Sequence, residues 1–147
     1  MWQSSEGIFL NQGKYAVEIL SRFAVLDCKF MATSMDKNIN FLSRESSDLV
    51  DMNQYRHIIE SLMYLMNTRP YICFVVNTLS QYLVKPIWFH LIVAKHVMRY
   101  LKGMIEFGLY YDRDHGYRLY GYTDSNWPGS AADRKRTSCE CYCLGST

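Results

Sequence analysis

The hydrophobic period of this chain changes at Gly103, and that change constrains the fold more than any single motif. Between residues 54 and 102, apolar side chains recur at the spacing of amphipathic helices. After Gly103, apolar side chains alternate with polar ones, which is typical of half-buried strands. A chain with this order of patterns combines packed helices with a sheet, so we expect an α+β fold.

Prolines divide the helical stretch into three predicted helices. We expect them over residues 54–67, 70–85 and 86–102. Pro70 suits the first position of the second helix, because proline has no backbone N–H to leave unbonded there. Gly103 follows the third helix, where glycine commonly ends a helix.

The other predicted elements are short strands, one further helix and a long polar connection. They are a strand at 7–12, a helix at 14–26, a connection at 27–51, and strands at 108–111, 118–122 and 139–144. A turn is expected between the strands at 108–111 and 118–122. We expect two parts, residues 1–110 and 117–147. The final strands have no helix to cover them, so the sequence looks cut off at its C-terminus.

Composition favours a globular protein inside the cell. Hydrophobic residues make up 49% and charged residues 20% of the chain. No apolar run approaches the roughly 20 residues of a membrane helix, and no secretory signal begins the chain. Five cysteines are an odd number, which favours free thiols and a reducing compartment over a disulfide framework.

The third predicted helix carries a candidate binding surface. Lys95, Arg99 and Lys102 fall within a narrow arc on one side of it, opposite the apolar residues. The net charge of the chain is only +2, but residues 51–110 carry six Lys and Arg against three Asp and Glu. Such an arc can follow a phosphate backbone, although three charges on one helix face are more often simply solvated.

Candidate metal ligands are few. Asp124 ends an alternating strand among small polar residues, where a carboxylate can hold Mg²⁺ if partners come from elsewhere, or can simply begin a turn. Cys139, Cys141 and Cys143 would point to one face of a strand, but zinc sites usually use more widely spaced cysteine pairs. His90 lies near the apolar stripe of its helix and is best interpreted as a core residue.

Several short motifs follow one another along the chain. They are GIFLNQGKY at 7–15, LDCK at 26–29, SLMYL at 61–65, TRP at 68–70, RYLKG at 99–103, GLYY at 108–111 and GYTDS at 121–125. In this order and spacing, over nearly its whole length, the chain resembles the reverse transcriptase of copia-type LTR retrotransposons, running on into its ribonuclease H domain.

The resemblance implies a structural and functional map. The first strand would lie at the palm edge, residues 54–85 would form the helical thumb that tracks the template–primer duplex, and residues from about 117 would begin a ribonuclease H-like sheet. Arg56 and Arg69 would join the basic arc as nucleic-acid contacts. Asp124 would match the first metal-binding carboxylate of ribonuclease H, and the intact family enzyme uses Mg²⁺, whereas no cofactor is expected here.

Departures from the family pattern argue against catalysis. No Asp-Asp dipeptide occurs, although the family's polymerase holds its metals with one. Glu60 stands where the family usually has Gly, and Tyr71 where it usually has Asp. We therefore expect a catalytically inactive segment that binds nucleic acid weakly, in the cytoplasm or nucleus. The alternatives are a module that self-associates through exposed apolar surface and a translated relic without a function.

Overall fold

A computed structural model describes residues 1–35, 50–113, 119–125 and 138–144 of the chain. The described part divides into two compact units. One unit, Gln12–Phe107, holds the helices. The other combines Met1–Asn11 with the chain from Gly108 onward and holds the strands. The change of unit near residue 108 matches the change of hydrophobic period, but the N-terminal strands group with the C-terminal ones rather than with the helices.

In its described residues, the first unit contains four α-helices. They are α1 (Gly13–Arg22), α2 (Met52–Leu65), α3 (Cys73–Ser80) and α4 (Trp88–Lys102). Their apolar stripes meet in one core, whose fully buried members include Ile19, Leu20, Ile58, Leu62, Leu79, Met98 and Leu101. Within the described ranges, no helix is both long and apolar enough to cross a lipid bilayer.

The ends of α2 and α3 follow from local chemistry. The Asp51 carboxylate accepts a hydrogen bond from the Asn53 N–H at 2.9 Å and so caps the start of α2. The helix predicted over residues 70–85 is shorter than expected, because Pro70–Ile72 forms a 3₁₀ helix before α3 begins at Cys73 and α3 ends at Ser80. Met66–Thr68 forms another 3₁₀ helix directly after α2.

The first helix ends four residues earlier than the sequence predicts. The Ala24 N–H donates to Ser21 O at 3.0 Å, and the Val25 N–H donates to Leu20 O at 2.8 Å. These two bonds form a Schellman motif, which reverses the chain at a residue in the left-handed conformation. Ala24 takes that position, with φ of 54°, where glycine is usual. Val25 is buried beyond it and holds the turn against the core.

The described strands form two antiparallel sheets. One sheet has the order β1-β2-β3, formed by Trp2–Gln3, Gly7–Leu10 and Leu109–Asp112. The other pairs β4 (Leu119–Ser125) with β5 (Ser138–Leu144). The expected turn between the strands at 108–111 and 118–122 does not join a pair: β3 pairs with β2 instead, with Leu109 opposite Leu10. The short strand β1 was not predicted.

Candidate nucleic-acid interface

Helix α4 carries the predicted basic arc and has a well-defined start. The Ile87 N–H donates to His90 Nδ1 at 3.3 Å, and the imidazole stacks on the Tyr82 ring with centroids 3.9 Å apart. His90 is buried, as the sequence analysis expects of a core histidine. No Asp or Glu occurs in α4, so Lys95, Arg99 and Lys102 have no acidic neighbour on their own helix. Arg99 and Lys102 lie in its last turn, where positive charge complements the helix dipole.

The three cations of the arc differ in what they contact. Lys95 is exposed on the middle of α4. Arg99 Nε donates to the carbonyl oxygen of Lys29 at 2.8 Å, and Lys102 Nζ donates to the carbonyl oxygen of Cys28, also at 2.8 Å. Both side chains are half-buried as a result. The arc therefore exists, but the chain's own backbone occupies part of its hydrogen-bonding capacity.

A short segment of backbone supplies these contacts. Residues 28–33, which we call the strap, run beside the C-terminal half of α4. The Met31 N–H donates to Arg99 O at 3.2 Å, and His96 Nε2 lies 2.9 Å from the backbone carbonyl oxygen of Thr33. Together with the bonds from Arg99 and Lys102, these contacts fix the strap at four points.

Arg69 cannot serve as the predicted nucleic-acid contact, because its side chain is fully buried. Its guanidinium donates to the carbonyl oxygens of Met104 and Ile105, the latter at 3.0 Å, and to the Tyr71 hydroxyl at 2.9 Å. These carbonyls lie just beyond the C-terminal end of α4, where the helix dipole is negative. Arg69 is thus a structural residue that ties the end of α2 to the end of α4.

Arg56 is exposed on α2, so it remains available to a ligand.

Helix α2 also borders a groove of about 530 Å³ beside α1, lined by Tyr15, Arg22, Phe23, His57, Glu60, Ser61 and Tyr64. The rings of Tyr15 and Tyr64 pack edge-to-face with centroids 4.8 Å apart. The Glu60 carboxylate at this groove would repel phosphates, so the groove itself does not favour a nucleic-acid backbone.

The predicted metal ligands lie at the margin of what the structure describes. Asp124 lies in β4 opposite Cys139, and Cys141 and Cys143 follow in β5. The side chains of these four residues lie outside the described part. Among the side chains that the structure does describe, no three His, Cys, Asp or Glu residues come together as metal ligands. One carboxylate does not fit a two-metal site, so we derive no chemistry through Mg²⁺ here.

Comparisons with known proteins return retroelement sequences. The chain is 36% identical over 95% of its length to an uncharacterized mitochondrial protein of Arabidopsis thaliana, of which it spans 58%. It is 34% and 33% identical, over 90% of its length, to the retrovirus-related Pol polyproteins from transposons RE2 and RE1 of the same plant. It spans 9% of each of these polyproteins. No protein-family model and no solved structure matches the chain.

Proposed function

The chain belongs to the retrovirus-related Pol polyproteins of copia-type transposons, and from this membership we propose that it is the segment in which reverse transcriptase ends and ribonuclease H begins. We further propose that its own role is to hold template–primer duplex without carrying out catalysis. Because the chain spans a small part of each Pol polyprotein, both statements go beyond the family assignment.

One observation supports duplex binding above all others: α4 presents Lys95, Arg99 and Lys102 on its outer face without any acidic residue. Cations at this spacing can pair with successive phosphates of one strand, and the release of condensed counterions then drives association. Arg56 on α2 is a further candidate contact. No base-reading group is invoked, so the binding should depend little on sequence.

Catalysis requires groups that the described side chains do not bring together in one place. Nucleotidyl transfer and ribonuclease H cleavage both need several carboxylates around paired metal ions. The chain has no Asp-Asp pair, and the proposal assigns only Asp124 to a metal. We therefore expect the purified chain with Mg²⁺ to extend no primer and to cleave no RNA–DNA hybrid. Primer extension, or cleavage of the hybrid that is lost in Asp124→Asn, would contradict this part of the proposal.

Binding is tested by titrating the purified chain with a fluorescent short DNA duplex and following anisotropy. The affinity should fall steeply between about 50 and 200 mM salt, because each neutralised phosphate contributes about −0.9 to the slope of log K against log salt. Binding that is independent of salt, or no binding at 50 mM salt, would contradict a phosphate-contacting role.

Self-association is a second candidate function, favoured by exposed apolar side chains on α4. Trp88 and Ile92 are each 49% exposed and lie one turn apart on α4. Apolar side chains on an open helix face can pair with another chain. Sedimentation velocity should then show a dimer that persists at high salt and dissociates in Trp88→Lys. A monomer under all conditions would exclude this candidate.

We place the chain in a reducing compartment, the cytoplasm or nucleus. The odd number of cysteines, five, supports this, because it favours free thiols over a disulfide framework, and Cys28 is a cysteine that is exposed. Mass spectrometry of thiols alkylated in intact cells would test the proposal. A reduced Cys28 agrees with it, and an oxidised Cys28 contradicts it.

A further inference from the structure

The strap, residues 28–33, lies on the cations that the proposed function assigns to nucleic acid. Two of its carbonyl oxygens, from Cys28 and Lys29, accept hydrogen bonds from Lys102 and Arg99 at 2.8 Å. A phosphate oxygen bound by the same N–H groups would need the same space. Lys95, one turn towards the start of α4, has no such contact with the strap and is exposed.

Local structure holds the strap in this place. The Schellman motif at the end of α1 turns the chain, and the Cys28 N–H closes a further turn onto Val25 O at 3.1 Å. The ring of Phe30 lies against Gly103, so near that a side chain carbon at residue 103 would be 3.3 Å from it. The Met31 N–H bond to Arg99 O anchors the strap's main chain directly to α4.

The contacts of the strap are weaker than those of a phosphate. Both kinds of hydrogen bond have an ionised donor, but a carbonyl oxygen is neutral, whereas a phosphate oxygen carries a negative charge and adds Coulomb attraction to the bond. Three of the four polar contacts of the strap are also exposed to water, which lowers the net contribution of each to stability. A phosphate backbone can therefore displace the strap, but part of the binding free energy is spent in doing so.

We propose that the strap is an autoinhibitory contact: it covers Arg99 and Lys102 in the unbound chain and leaves them when duplex binds. This inference rests on the proposed function and adds its regulation. Lys95 makes the first contact with the duplex, and release of the strap then supplies the other two cations. Any factor that holds the strap on α4 weakens binding, and any factor that loosens it strengthens binding.

Two variants loosen the strap without touching the cations. Met31→Pro removes the N–H that bonds to Arg99 O, and Phe30→Ala removes the ring that lies on Gly103. Phe107→Ala is the matched control, because Phe107 is 55% exposed, against 57% for Phe30, and lies outside the strap. Circular dichroism first confirms that all three variants keep the helical content of the parent chain.

Duplex titrations then measure affinity and salt slope for the parent chain and the variants. Both strap variants should bind about threefold or more tightly at 50 mM salt, and their salt slopes should steepen by up to about 1.8, the value of two further phosphate contacts. Phe107→Ala should match the parent chain. Equal affinities and slopes for all forms would overturn the autoinhibitory strap while leaving the proposed function intact.

Hydrogen exchange on the parent chain gives an independent result. Amides of residues 28–33 should exchange faster in the duplex-bound chain than in the unbound one. Slower or unchanged exchange would overturn the inference, because the strap would then stay in place and add Lys29 to the interface. If no form binds, the proposed function and the inference both fail.

Discussion

The Tyr71 hydroxyl accepts a hydrogen bond from the buried guanidinium of Arg69 at 2.9 Å. This hydroxyl is neutral, so Tyr71 is a hydrogen-bond acceptor for the guanidinium but not a counter-ion to it. The guanidinium is instead balanced by the carbonyl oxygens of Met104 and Ile105 at the negative end of α4. The ring of Tyr71 also packs edge-to-face on Tyr100 with centroids 5.8 Å apart.

Arg69 should therefore matter for stability rather than for binding. Replacing it in Arg69→Met leaves two carbonyl groups without their donors, and we expect the free energy of unfolding to fall by about 2 kcal/mol. Urea unfolding followed by circular dichroism measures the loss. The matched control is Arg56→Met on the exposed face of α2, which should change stability by less than about 0.5 kcal/mol. Equal effects of the two substitutions would contradict the structural role of Arg69.

Ala24 provides a prediction of opposite sign. Its φ of 54° is costly for any residue with a side chain, so Ala24→Gly should raise the free energy of unfolding by about 1 kcal/mol, less the entropy that glycine loses on folding. Ala32→Gly serves as the control, because Ala32 lacks a positive φ and should gain nothing. A loss of stability in Ala24→Gly would show that this turn does not form.

The buried phenol of Tyr55 should make the free energy of unfolding depend on pH. Its hydroxyl donates to Leu79 O at 2.9 Å in the core, and burial, with a smaller contribution from Tyr82, raises the pKa of the phenol above its ordinary value of 10.0. The folded chain therefore keeps a proton that the unfolded chain releases above about pH 10. The stabilisation that Tyr55 provides is complete below that pH and declines as the pH rises further.

Tyr55→Phe removes this dependence. At about pH 8 it should lower the free energy of unfolding by about 1 kcal/mol, since Leu79 O loses its donor. Above pH 10 its stability should decline less steeply with pH than that of the parent chain. Tyr64→Phe, at an exposed site on α2, is the matched control at about pH 8, where it should lower the free energy of unfolding by less than about 0.5 kcal/mol. Identical slopes in Tyr55→Phe and the parent chain would contradict the proposed burial of the phenol.

The sequence predicted the helices better than their ends or the pairing of strands. Helical spacing located α2 and α4 because their apolar stripes face one core. It missed the end of α1, since Ala24 occupies a position where a sequence normally signals the turn with glycine. It also missed the pairing of β2 with β3, because those strands are far apart in the chain and hydrophobic alternation does not identify a partner.

In the candidate site, too, the sequence predicted some features and missed others. Periodicity placed Lys95, Arg99 and Lys102 on one face of α4, where the structure also has them. It could not predict the strap, whose contacts are made by backbone carbonyls that have no sequence signature. The family resemblance proposed Arg69 as a nucleic-acid contact, but its side chain is fully buried. Arginine is almost never fully buried, so its burial has no signal in the sequence.

Duplex binding through α4 is the central claim, and a matched pair of charge reversals tests it most directly. Lys95→Glu and Lys14→Glu each change the net charge by the same amount at an exposed lysine, on α4 and α1 respectively. At about 50 mM salt, Lys95→Glu should weaken duplex affinity about tenfold and reduce the magnitude of the salt slope by about one, whereas Lys14→Glu should leave both nearly unchanged. Equal losses in the two variants, or no loss in Lys95→Glu, would contradict binding through α4.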